Sequence, residues 1–305
     1  MSQEILGTDV SPFYQQVQKE FGKTKAEVCK CVEMLLKWTE EGVRHREAPP
    51  INYCLFCIVA CNFSLEEVKK RIDMYYYIPL IMPKVYSVHP LSVELLQHSK
   101  VTYCVFLPKY TQNCERVIFM QLNPNYQPEE FKHEFVLIQF VHILELILQE
   151  AECYNWHIVF DWIGARSEHI KKLNPRVIKD FALCFEEVYA NRVASICGIN
   201  FPPFLDTMLR TIFLPFLSEK LKSKVKICKN TDILFEMFDK SIIPKDFGGE
   251  EQSLEELRIL MIKKFEDAKA IFDKIQDMAN SKVEMPDWFM EFLESCRDFR
   301  SFTID

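Results

Sequence analysis

Between residues 101 and 227 the chain alternates two periodicities, and this alternation constrains its fold more than any other feature. "VTYCVF" (101–106), "RVIFMQL" (116–122), "HIVFDW" (157–162), "RVASICGI" (192–199) and "KVKI" (224–227) are short, rich in β-branched or aromatic residues, and bounded by polar residues or Pro. Between the later ones lie helical patterns at 128–151, 175–190, and 203–214 followed by 217–223. Strands separated by helices of that length need crossover connections, which set successive strands parallel. The first two strands stand close enough to form a hairpin. The expected fold is therefore α/β, with a mixed, mainly parallel five-stranded sheet covered by helices.

The flanks read as helix. Over 11–42, Thr24 is a candidate N-cap with Glu27 three residues on, and Gly42 is the stop. "REAPPIN" is a break, 52–61 a short helix, and Ser64 with Glu67 opens "SLEEVKKRIDMYYYIPLIMPKVY". After "FGGE" (247–250), Leu254, Leu257, Met261, Phe265, Ala268, Phe272, Ile275 and Met278 recur at helical spacing, and "MPDWFMEFLESCRDF" ends the pattern. Three segments follow: a helical N-terminal domain over 1–90, an α/β domain over 91–250 and a helical C-terminal extension over 251–305.

Several function classes lose support at once. A net charge of −7 argues against nucleic acid as a partner. The 7 glycines include no GxGxxG and no GxxxxGK[ST], so phosphate-cradling loops of those kinds are excluded. The longest apolar run, Phe135 to Leu148, is too short to span a bilayer, and the N-terminus lacks the pattern of a signal peptide. A cytoplasmic location is expected, with the 12 cysteines as reduced thiols. Cys54, Cys57 and Cys61 share a helix face but lack a second ligand pair, so core packing is expected of them rather than metal binding. His142 reads as a core histidine. Asp161 ends a strand where α/β enzymes carry catalytic groups, although capping the "DWIG" turn is its expected role. There is no HExxH, no GxSxG and no recognisable nucleophile–base pair. The expectation is a protein that is not an enzyme and needs no metal or redox cofactor.

The stretch "FPPFLDTMLRTIFLPFLSEKLKSK" (201–224) has another character. On a helix projection from Phe204, Asp206, Thr207, Arg210 and Thr211 share one arc, and apolar residues fill the other. Leu214 falls in the polar arc, and Pro215 ends the helix. From Glu219 to Lys229 there are five lysines against one glutamate, a local charge of +4. One reading is a sheet-covering helix followed by a solvated strand edge. The other is a lid over an apolar cavity, beside a patch that meets an anionic membrane. Exposing six apolar side chains to water would cost on the order of 10 kcal/mol, so such a lid opens only where lipid receives it.

The run "NWHIVFDWIGARSEHIKKLNPRVIKDFALCFEEVYANRVASICGINFPPFLDTMLRTIFLPFLSEKLKSKVKI", followed by "IIPKDFGGE", resembles the CRAL-TRIO lipid-binding family. The matching features are the strand ending in Asp161 with Gly164, the helix closing on Tyr189 and Arg192, the Asn200/Pro202 turn, Pro215-Phe216-Leu217 with Lys220, and Gly248-Gly249. The likeness is greatest to the α-tocopherol transfer and retinaldehyde-binding branch and covers roughly residues 50–280. It implies a hydrophobic cavity closed by a gate helix, Phe204–Leu214. It further implies an intracellular carrier of one lipophile (tocopherol-, retinoid- or carotenoid-like) that makes transient contact with anionic membrane, phosphoinositide included. Expected cavity residues are Tyr103, Val105, Phe119, Leu137, Phe140, Leu144, Trp156, Phe160, Ile199, Phe204, Met208, Leu209, Ile212 and Phe213, with ordinary core packing the alternative for each. Arg192, Lys220 and Lys224 match headgroup-binding positions. Two departures stand out: "CIVACNF" (57–63) replaces an arginine-rich run, and Phe140 and Leu144 replace small hydroxyl side chains. A phosphoinositide-sensing or phosphatidylinositol-transfer module and an enzyme acting on a lipophile remain the rival readings.

Overall fold

The computed structural model describes residues 11–41, 49–150, 153–189, 192–281 and 285–295. Among the described residues six helices precede the sheet: α1 (Ser11–Phe21), α2 (Lys25–Glu41), α3 (Ile51–Ala60), α4 (Leu65–Ile81), α5 (Pro83–Tyr86) and α6 (Val93–Val101). Thr24 and Glu27 satisfy each other's backbone N–H at the start of α2, at 2.8 and 3.3 Å. Ser64 stands at the N-cap of α4 but makes no side-chain cap bond. The chain reaches it through Asn62 and Phe63, both at positive φ, and Glu67 pairs with Lys70 instead. Gly42 lies outside the described residues.

The sheet has the order β1-β2-β3-β4-β5. β1 (Thr102–Phe106) runs antiparallel to β2 (Arg116–Leu122). β3 (Trp156–Asp161), β4 (Val193–Ile199) and the short β5 (Val225–Ile227) continue in parallel. α7 (His133–Glu150) crosses from β2 to β3. α8 (Ser167–Ile170) and α9 (Pro175–Val188) cross to β4, and α10 (Leu205–Met208) and α11 (Glu219–Lys222) lead to β5. Asn174 caps α9, its side chain accepting from Arg176 N and Val177 N, and Pro175 fills the first helical position, where no N–H is needed. α12 (Ile233–Met237), α13 (Leu254–Asp267), α14 (Lys269–Asn280) and α15 (Asp287–Ser295) follow β5 among the described residues. The long C-terminal helical pattern therefore breaks at Ala268.

One apolar core runs from the N-terminal helices through the sheet to the C-terminal helices. Phe56 of α3 stacks on Trp156 of β3 at 5.1 Å. Glu145 of α7, 1% exposed, accepts hydrogen bonds from Tyr75 of α4 and from Tyr189. Cys54 and Cys57 are buried in the same core, and burial pushes the Cys54 thiol up to about 12. At Gly164 a Cβ would lie 2.2 Å from Leu122 O, so the turn after β3 can pass β2 only as glycine. No described helix is long and apolar enough to cross a membrane.

Candidate functional site

A cavity of about 230 Å³ lies at the carboxyl ends of the parallel strands, where open α/β sheets form their ligand crevices. Its floor is one face of the sheet: Met120, Leu122, Ile158, Phe160, Ile196 and Gly198. α7 contributes Val136, Leu137 and Phe140, and α9 contributes Ile178, Phe181, Ala182 and Phe185. The rings of Phe181 and Phe185 stack at 6.3 Å, and Phe140 approaches Phe185 at 5.5 Å. The roof is Leu205, Met208, Leu209, Phe213, Leu214 and Leu217.

The roof is not the single α-helix expected from its periodicity. α10 ends at Met208, Leu209–Phe213 is a π-helical turn, and Leu214–Phe216 is a 3₁₀ turn. Leu214 N–H donates to Leu209 O, five residues back. The wider turn carries Leu214 out of the polar arc assigned by a 3.6-residue period and places it on the cavity. Asp206 and Arg210 pair at 2.8 Å on the exposed side.

Of the expected cavity residues, Leu137, Phe140, Phe160, Met208, Leu209 and Phe213 line it. Tyr103, Val105, Phe119 and Ile199 do not, because they occupy the opposite parity of their strands. The cavity takes Thr102 of β1, Met120 and Leu122 of β2, and Ile196 and Gly198 of β4. Phe119 instead stacks on Phe247 beyond the sheet, at 5.3 Å. Trp156 stands at the far end of β3, against Phe56. Leu144 lies one helical turn past Phe140, beyond the cavity. Phe204 is 44% exposed at the outer end of the roof. The side chain of Ile212 lies outside the described residues. Periodicity missed Phe181 and Phe185, whose only signal was the apolar face of α9.

A few polar groups interrupt the apolar wall. Asp161, 2% exposed, accepts from Ile163 N at 3.0 Å, Asn200 Nδ2 at 2.8 Å and Gln121 Nε2 at 2.6 Å, so it fixes the turn after β3. His169 Nδ1 accepts from Arg166 N at 2.9 Å, which puts the ring proton of the neutral imidazole on Nε2. Thr102 and His133 also line the cavity, and Thr102 Oγ1 and His133 Nδ1 are buried without a protein partner.

The three basic residues are placed differently from one another. Arg192 is committed within the protein: it pairs with Glu20 at 2.6 Å, donates to Asn155 Oδ1 and stacks over Tyr154. Lys224 Nζ donates to Val193 O, and partial burial lowers its pKa. Lys220 is exposed, as are Lys226 and Lys229.

The fold also assembles a nucleophile–base pair that no motif in the sequence announces. His157 Nδ1 stands 2.7 Å from Ser195 Oγ, and His157 Nε2 stands 2.8 Å from Glu115 Oε2. The array has the order of a serine–histidine–carboxylate triad. Ile158 and Ile196, the next residues along each strand, face the cavity, so His157 and Ser195 face away from it. Ser195 is buried, and the Phe238 ring covers His157 at 5.2 Å. The triad does not reach a molecule held in the cavity.

Residues 100–249 match the family model described as the CRAL/TRIO domain. That span contains all five strands and the entire roof segment. Over that span the fold, a mixed, mostly parallel five-stranded sheet with helices, matches that of the CRAL/TRIO domain; the N-terminal helical region precedes it. A solved structure described as the crystal structure of Sfh5 is similar over 97% of this chain and 96% of that chain, with a TM-score of 0.48 and 12% sequence identity.

Proposed function

We propose that the protein is a carrier that holds one small lipophile, tocopherol-, retinoid- or carotenoid-like, and exchanges it at membrane surfaces. The observation that carries this reading is the ring-rich apolar cavity of about 230 Å³ beneath the irregular segment 205–217. The match of residues 100–249 to the CRAL/TRIO domain supports it.

The mechanism is non-covalent. A ligand that loses about 300 Å² of apolar surface from water gains ~7 kcal/mol, from which association costs are deducted, and the preformed walls keep those costs small. Six roof side chains swung into water would cost on the order of 10 kcal/mol, so opening is coupled to a lipid surface that receives them. Phe204 and Ile163 (44% and 57% exposed) flank the roof and its neighbouring turn and provide the first apolar contact. Lys220 and Lys229, both exposed, would each contribute ~1 kcal/mol at an anionic leaflet.

The internal commitments of Arg192 and Lys224 weigh against a specific phosphoinositide pocket built on those residues. The test is uptake. The protein is incubated with vesicles loaded with α-tocopherol, retinol or β-carotene and then separated from them by gel filtration. At least one lipophile should travel with the protein near one per chain. Failure of all three to do so contradicts the carrier reading.

A further inference from the structure

The chain leaves β4 at Ile199, passes through the roof and returns to the sheet as β5. A cysteine stands at each end of this excursion: Cys197 within β4, and Cys228 directly after β5. Ile196 and Gly198 of β4 and Val225 and Ile227 of β5 line the cavity. Cys197 and Lys226, partners across the ladder, therefore face the other side of the sheet, and Cys228 continues the same alternation. The backbone fixes the approach of the two residues. Cys228 N–H donates to Gly198 O at 2.8 Å, beside Cys197, and Cys228 O accepts from Phe201 N at 3.2 Å. The two side chains meet there in a thiol–thiol hydrogen bond.

The thiols differ in access. Cys197 is 0% exposed, whereas Cys228 is partly exposed. Burial pushes the Cys197 thiol up to about 12, so it does not open a reaction with a solute. Lys226 and Lys229, both exposed, flank Cys228 in the chain and draw an anionic reagent towards it. We propose that Cys197 and Cys228 are a reversible disulfide site, in which Cys228 meets a small anionic disulfide such as glutathione disulfide and Cys197 completes the bond.

The exchange balances in two steps. Cys228 attacks, as the thiolate, one sulfur of glutathione disulfide; that S–S bond breaks and one glutathione leaves as a thiolate. Cys197 then attacks Cys228 Sγ, the mixed disulfide breaks, and the Cys197 proton goes to the second departing glutathione. Two protein thiols are oxidised and one glutathione disulfide is reduced to two glutathione molecules. The bond closes residues 198–227, with the entire roof, into one covalent loop, and it pins the three-residue strand β5 to β4.

The test exposes the reduced full chain to glutathione disulfide. The reaction is quenched with acid, the protein is unfolded and alkylated, and a digest made without reductant is mapped by mass spectrometry. The wild type should yield a peptide pair joined through Cys197 and Cys228, with both thiols lost to the alkylating reagent and recovered after dithiothreitol. Cys197→Ala should leave glutathione on Cys228 as a lasting mixed disulfide. Cys228→Ser should leave Cys197 reduced under the same exposure. The wild-type map needs no variant, so it decides the assignment even where a substitution disturbs the fold. A wild type that keeps both thiols reduced, retains glutathione on Cys228 or joins Cys228 to another cysteine overturns the proposal. So does a Cys197 oxidised as readily in Cys228→Ser as in the wild type.

Discussion

The side-chain amide of Asn200 donates to Asp161 Oδ1 at 2.8 Å, and this bond joins the turn after β4 to the turn after β3. Gln121 of β2 donates to the other oxygen of the same carboxylate. One buried aspartate therefore ties the carboxyl ends of three adjacent strands, the ends on which the cavity opens. Asn200 itself has a φ of 50°, a left-handed conformation that Asn tolerates better than most residues, and the chain turns there towards the roof.

Asp161→Ala removes the acceptor for both amides and for Ile163 N–H. Two or more buried donors left unpaired predict a loss on the order of 2–4 kcal/mol, read as a lower urea midpoint with little change in m. A midpoint equal to that of the wild type would show that Asp161 does not hold the turn.

Glu145 predicts a specific pH dependence. Burial raises its carboxyl to about 7, although the Tyr189 and Tyr75 hydroxyls draw it partly back. Between the unfolded pKa of about 4.5 and the folded value, the folded chain holds a proton that the unfolded chain has released. Stability from this group is therefore complete below that window and is lost as pH rises through it, by on the order of 3 kcal/mol. Glu145→Gln should flatten this slope. The difference between wild type and variant in denaturant unfolding, followed from pH 5 to pH 8, isolates it, and parallel curves would contradict the assignment.

The strands were legible in the sequence, but the face each presents to the cavity was not. Inner strands of a mainly parallel sheet are apolar on both sides, so "RVIFMQL" offers Val117 and Phe119 on one parity and Ile118, Met120 and Leu122 on the other with nothing to choose between them. The expectation took Val105 and Phe119; the cavity takes Thr102 and Met120, on the other parity of the same strands. The roof failed for a different reason. A 100° projection assumes 3.6 residues per turn, and the π-turn at Leu209–Phe213 breaks that phase. Arg192 could not be placed at all, because its partner Glu20 lies 172 residues away and only the fold brings them together. Thr102 and His133 are single polar residues at the starts of apolar elements, a pattern that capping residues share.

Filling the cavity should remove cargo without unfolding the chain. Met208 is 4% exposed in the roof. Overpacking a filled core costs ~1–3 kcal/mol, but an indole at this position can occupy the void. Met208→Trp should therefore lower ligand stoichiometry severalfold and leave thermal unfolding close to that of the wild type. Unchanged stoichiometry would put Met208 outside the binding space.

Lys220 and Lys229 test the membrane surface without touching Arg192 or Lys224. Replacing both with Ala should weaken association with vesicles rich in phosphatidylserine by about ten- to thirtyfold at low salt, from ~1 kcal/mol per lysine. The effect should fade at high salt and vanish on neutral vesicles. Equal loss on neutral vesicles would mean that the substitutions act on the fold.

The most direct measurement is mass spectrometry of an organic extract from the protein purified from its native source. The account predicts one dominant lipophile, near one molecule per chain. An extract with no lipophile, or with bulk membrane phospholipids alone, would contradict the claim that the cavity beneath residues 205–217 carries a specific cargo.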